Sequence, residues 1–198
     1  IIILRFSSEG YVFYLQNRIG KNNKIFKIIK FATMLKDSPN LASGSITLAD
    51  DWRVTKPGKF LRKTKINELP QIINILKGDI SLVGPRPLVT KTFTAYNDNV
   101  QSKIYNVKPG LSGIGSIIFR DEEKLLTDTE MNTKDFYREF IAPYKGELEL
   151  WYKENLSFWT DIKLIFCTAW VIFFSKSKLP NKIFKNLPKV PENLKHNF

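Results

Sequence analysis

Two β-type runs, Tyr11 to Arg18 and Lys24 to Thr33, flank a Gly20-Lys21-Asn22-Asn23 break, a pattern that predicts a hairpin. From 36 to 51 the chain turns polar around Pro39 and Gly44, which predicts a mobile loop. The period then changes to that of a helix, with Leu69, Ile72, Ile73 and Leu76 on one face. Asn67 suits the N-cap of this helix, Pro70 is tolerated in its first turn, and Gly78 is placed to end it in a left-handed conformation. Residues 79–83 read as a short strand, followed by a loop in which Pro85 and Pro87 hold Arg86 stiffly. Residues 88–106 predict a helix with Tyr96, Val100, Ile104 and Tyr105 on its apolar face.

The last strong pattern runs from Trp151 to Phe174. Asp161 and Lys163 interrupt it, so the apolar run from Leu164 to Phe174 is too short to cross ~30 Å of hydrocarbon. Aromatic residues fill this stretch, and a lysine-rich tail from Lys176 to Lys195 follows. That composition predicts a helix lying in a membrane interface, with a buried core helix as the competing reading.

Composition narrows the classes of function. A chain of 198 residues, 43% hydrophobic, can bury one core, which predicts one domain over 1–174 and a basic tail over 175–198. The net charge of +12 calls for an anionic partner: nucleic acid, a membrane surface or a phosphorylated substrate. Nucleic acid is set aside because no binding motif accompanies the charge. Cys167 and His196 are single in the chain, which excludes a disulfide framework and disfavours a histidine triad or zinc site. An acidic cluster, Asp121 to Glu123, reads as a solvated helix start, with a metal or sugar contact as the alternative.

Chemistry concentrates between 53 and 87. A basic approach (Lys56, Lys59, Arg62, Lys63, Lys65) leads to Asn67-Glu68 at the expected helix N-terminus, where free N–H groups favour phosphate. Arg62 lies about one turn upstream, and Arg86 offers a fixed guanidinium for bidentate phosphate binding.

This stretch resembles the bacterial sugar transferases, the monotopic phosphoglycosyl transferases. Their pattern is Arg-x-Thr-x-x-Gly-x-x-Leu-Arg, then Asp-Glu-Leu-Pro-Gln, then Gly-Asp-x-Ser-x-Val-Gly-Pro-Arg-Pro. Here it is carried by Arg53, Thr55, Gly58, Leu61 and Arg62, by Glu68 to Gln71, and by Gly78, Asp79, Ser81 and Val83 to Pro87. Weaker matches are Ser7 to Phe13, Gln16 to Gly20 and Lys108 to Gly113. The resemblance implies an α/β fold with a small sheet or hairpin among helices, interfacial amphipathic helices, and an N-terminal membrane helix that is largely missing from this chain.

It further implies transfer of sugar 1-phosphate from a UDP-sugar to polyprenol (undecaprenyl) phosphate with release of UMP. Glu68 and Asn67 would then be the catalytic pair and the ligands of Mg2+. Arg62, Arg86, Arg53, Lys30 and Lys108 would bind substrate phosphates. The expected setting is the cytoplasmic face of the bacterial inner membrane, on an anionic surface, with a homodimer as one assembly. Asn67 stands where relatives carry a nucleophilic Asp, and a neutral amide is a very poor nucleophile. The alternative is therefore a non-catalytic relative that acts as a scaffold in glycan assembly.

Overall fold

The computed structural model describes residues 4–5, 10–41, 47–48, 50–174 and 177–197. Ser7 to Glu9 of the opening motif and residues 42–46 and 49 of the polar loop lie outside them.

Strands β1 (Phe13–Ile19) and β2 (Ile25–Phe31) form the expected hairpin, antiparallel from Phe13↔Phe31 to Ile19↔Ile25. Asn22 and Asn23 turn the chain at φ 55° and 58°, in the left-handed region that Asn tolerates better than most side chains. The Ile19 amide donates to Leu88 O at 2.9 Å and joins the hairpin to the body.

Helix α1 (Lys56–Lys63) is capped by Thr55, whose Oγ1 accepts from the Gly58 amide at 3.1 Å. A single 3-10 turn, Ile66–Glu68, precedes α2 (Gln71–Leu76), so the α-helix starts later than Asn67. Pro70 has no N–H for the carbonyl of Ile66, and Leu69 N takes that carbonyl instead at 3.0 Å. Asn67 therefore makes no cap hydrogen bond. Gly78 ends the segment at φ +79°, as its position predicts.

The orientation of α2 was not legible in its pattern. Gln71 and Asn74 face inward, 2% and 1% exposed, while Leu69, Ile72, Ile73 and Leu76 face out, Leu76 at 82%. Asn74 makes the inward face work: its Oδ1 accepts from Ile29 N (3.0 Å), and its Nδ2 donates to Lys27 O (2.8 Å) and Asp79 Oδ2 (2.9 Å).

Strand β3 (Ser81–Val83) pairs in parallel with β4 (Gly110–Ser112). The strands meet backbone to backbone: a Cβ on Gly110 would lie 2.1 Å from Gly84 N, so no larger residue fits. Between them the expected helix over 88–106 is split into α3 (Thr90–Phe93) and α4 (Asp98–Lys103). Asn97 causes the split, because its side chain accepts from Val100 N and starts a new helix. Tyr96, Val100, Ile104 and Tyr105 are buried as the spacing predicts.

Helices α5 (Ile114–Ile118), α6 (Glu122–Asp128) and α7 (Thr133–Phe136) lead through a π turn (Tyr137–Ile141) into α8 (Ala142–Glu154), then α9 (Phe158–Phe173) and α10 (Leu179–Ile183). One apolar core joins α4, α5, α8 and α9 through Val100, Ile114, Leu148, Leu164 and Cys167. Only a narrow stripe of α9 enters it. Phe158 and Trp159 are each 70% exposed, and Ile162, Ile165, Phe166 and Phe173 are also exposed. No helix among the described residues is long and apolar enough to cross a membrane.

Candidate functional site

Glu68 lies at the centre of a cationic cluster. Its Oε1 accepts from Arg86 Nη2 at 2.9 Å and from Lys30 Nζ at 3.1 Å. Burial works to raise the pKa of this carboxyl, but Arg86 and Lys30 outweigh it and hold Glu68 well below the usual carboxylate range. Lys30 is lowered to about 8, first by burial and then, against the pull of Glu68, by Arg86 and Arg18. Arg86 is raised, chiefly by the charge of Glu68.

Each partner is held from behind. Lys30 rides on β2, which Asn74 ties to α2 through Lys27 and Ile29. The Arg86 backbone is fixed on two sides: Tyr105 Oη donates to Arg86 O (2.8 Å) while accepting from Leu88 N (2.9 Å), and Glu149 Oε1 accepts from Arg86 N (3.4 Å). Arg18 Nη1 donates to Pro87 O at 3.0 Å. The prolines of this loop are therefore reinforced by a tyrosine, a buried glutamate and an arginine.

The other expected site residues are placed differently. Asn67 is buried beside Glu68, and its Oδ1 has no hydrogen-bond partner. Arg62 lines the same groove but is ion-paired with Glu123 rather than with Glu68. Lys108 is exposed, with its Nζ beside Gly78, at the opposite end of α2 from Glu68. Arg53 is fully enclosed: its guanidinium binds Asp51 and the carbonyls of Ser38 (2.7 Å) and Leu41 (2.8 Å), so it ties these described residues of the polar loop together instead of facing the groove. The Asp121-to-Glu123 cluster opens α6, with Glu122 paired to Lys145.

Asn67 and Glu68 fit a substrate-completed cation site. They supply one buried, unbonded amide oxygen and one carboxylate whose two hydrogen-bonded cations share a single oxygen. Mg2+ commonly takes one or two carboxylates and completes its shell with phosphates and water. Among the described residues no group of three or more His, Cys, Asp or Glu could hold a metal unaided.

A groove of about 1500 Å³ opens over this centre. Its lining adds three groups to the expected set, Arg18, Ser116 and Arg120. Arg18 lies within the Gln16-to-Gly20 match, which gave it no role, and Arg120 is a single basic residue before an acidic cluster, with no periodic signal. Leu69, Ile72, Leu82, Ile165 and Ile172 line the same groove, so basic floor and apolar wall belong to one feature.

Charge at the floor and hydrocarbon along the wall define the class: a protein whose groove suits amphipathic anions. The chain belongs to the bacterial sugar transferase family, whose model it matches over residues 1–175. It is 36% identical over 173 residues to galactosyl transferase CpsE of Streptococcus agalactiae, covering 82% of this chain and 35% of that protein. The uncharacterized sugar transferase EpsL of Bacillus subtilis is 35% identical over 89% of this chain and 77% of its own length. The undecaprenyl-phosphate galactose phosphotransferase of Salmonella typhimurium is 33% identical over 82% of this chain. The chain spans about a third of the first and third of these relatives and about three quarters of the second.

Proposed function

We propose that this chain is a phosphoglycosyl transferase that moves sugar 1-phosphate from a UDP-sugar to a polyprenol phosphate at the cytoplasmic face of the bacterial inner membrane. The observation that carries this reading is the single groove in which Glu68, Arg86 and Lys30 meet the apolar residues of α2, β3 and α9. The names of relatives support the acceptor, since four of them are undecaprenyl-phosphate sugar or sugar-phosphate transferases.

In this mechanism Arg86 and Lys30 exchange their carboxylate partner for the oxygens of the entering diphosphate. That exchange frees Glu68, which burial then makes a stronger base and nucleophile. Its carboxylate oxygen attacks the β-phosphorus; the bond from that phosphorus to the bridging oxygen breaks, and UMP leaves with the electron pair. The acceptor lipid's phosphate oxygen then displaces Glu68 from the same phosphorus and yields a polyprenyl diphosphate sugar. A bound Mg2+, held by Asn67 Oδ1 and Glu68, would neutralise diphosphate charge. The outward apolar faces of α2 and α9 rest in the membrane and present the lipid to the groove.

Asn67 favours a second reading, in which the groove binds these ligands without turning them over. UMP release from donor and lipid separates the two. Wild-type turnover that falls by ~100-fold or more in Glu68→Gln supports the mechanism. Unchanged turnover in Glu68→Gln removes that residue from the chemistry, and turnover found only in Asn67→Asp makes the natural chain a binding protein.

A further inference from the structure

Four groove-lining residues each carry a buried polar atom without a hydrogen-bond partner: Arg18 Nε, Asn67 Oδ1, Ser116 Oγ and Arg120 Nη1. Asn67 Oδ1 accepts only, which suits a cation. Ser116 and Arg120 donate. Ser116 lies on α5 and Arg120 two residues beyond its end at Ile118, so one short stretch of chain supplies both to the lining of the groove.

A guanidinium is charged at every accessible pH, and a buried edge of one without an acceptor is costly. Arg120 forms no hydrogen bond or ion pair with any described residue; of the three carboxylates that follow it and line the same groove, Glu122 is paired with Lys145, Glu123 with Arg62, and Asp121 forms no ion pair with it. Lys65 lies within electrostatic reach of both Arg120 and Arg86. It is also held at φ 60°, a left-handed conformation that lysine rarely adopts and that sets it immediately before the turn carrying Asn67 and Glu68. Lys65 thus extends the positive charge of the Glu68 centre toward Arg120, along a stretch of the groove that Asp121, Glu122 and Glu123 also line.

We propose that Ser116 and Arg120 form a second phosphate-binding edge, distinct from the Glu68–Arg86–Lys30 centre, that grips a phosphate monoester through one hydroxyl and one guanidinium. A neutral sugar would need neither the charge nor the fork of Arg120, whereas phosphate oxygens match both. The assignment rests on the phosphoglycosyl transferase reading, which supplies two phosphate monoesters, the departing nucleotide and the acceptor lipid.

The test is calorimetric titration of the full chain in detergent with uridine monophosphate and, separately, with geranyl phosphate, using wild type, Ser116→Ala, Arg120→Gln and Arg120→Lys. Folding of each variant is checked by its thermal transition. Arg120→Gln weakens one ligand by about tenfold or more and Arg120→Lys by less, since a charged hydrogen bond is lost in the first and the charge kept in the second. Ser116→Ala weakens the same ligand several-fold. Loss for uridine monophosphate assigns the edge to the nucleotide, and loss for geranyl phosphate assigns it to the lipid. Folded variants that bind both ligands as wild type does overturn the edge while leaving the parent reading intact. A wild type that binds neither ligand overturns the parent reading and the edge together.

Discussion

Glu149 is a carboxyl enclosed at the back of the Arg86 loop, 1% exposed. Burial raises its pKa to about 7, against the opposing pull of Lys145 and Arg86. A carboxyl raised in the folded state binds more protons there than in the unfolded chain, so its stabilising contribution is present below its ordinary value of 4.5 and is lost as pH rises to about 7. Glu68 acts below 4.5 in the opposite sense, and Lys30, lowered to about 8, acts between that value and 10.5, so the windows do not overlap. Glu149→Gln should therefore gain stability over wild type progressively from pH 4.5 to 7. Parallel pH dependence of the two melting temperatures across that range would rule this out. None of this was legible in the sequence, where Glu149 is one of several acidic residues in α8. By contrast Glu68 and Arg86 stand within the motifs of residues 53–87, and the resemblance names Lys30 with them as a candidate site residue.

At the scale of the element, α2 is the instructive case. Its apolar residues recur at the spacing of a core-facing helix, yet that face is turned outward and Gln71 and Asn74 are turned in. Periodicity gives the existence of a face but not the medium it meets, and three hydrogen bonds from Asn74 decide the matter. Asn74→Leu should cost about 2 kcal/mol of stability, because it leaves Ile29 N and Lys27 O without their partner. Urea unfolding measures the loss, and a midpoint equal to wild type would contradict it. The split of 88–106 has a similar origin in Asn97, a local cap that outweighs a longer apolar pattern. The hairpin and the Gly78 stop were legible because turn residues carry their own conformational demand.

For the whole molecule, outward apolar faces on α2 and α9 combine with a net charge of +12. Attraction of lysines to anionic lipid is screened over roughly 10 Å at 0.1 M salt, whereas apolar insertion is not screened. Flotation with anionic vesicles should accordingly fall only in part at high salt. The double variant Ile72→Glu, Trp159→Glu should remove most of the remainder while its melting temperature stays near wild type, since both positions are exposed. Complete release of wild type by salt, or full retention of the variant, would show that these faces do not meet lipid. The charge of the chain was legible at once; the joining of apolar wall to basic floor needed the tertiary arrangement of segments from 69 to 172.

Cys167 carries a consequence for anyone handling the protein. It is the sole thiol of the chain, it is fully enclosed on the narrow inward stripe of α9, and burial pushes its pKa up to about 11. Little thiolate forms near neutrality, and reagents reach the sulfur only when α9 leaves the core. The native chain is thus a silent background for maleimide chemistry. A cysteine introduced at Phe158 or Leu76 carries a fluorophore at a known place on the outward face, and Cys167 itself reacts on the timescale at which the helix opens.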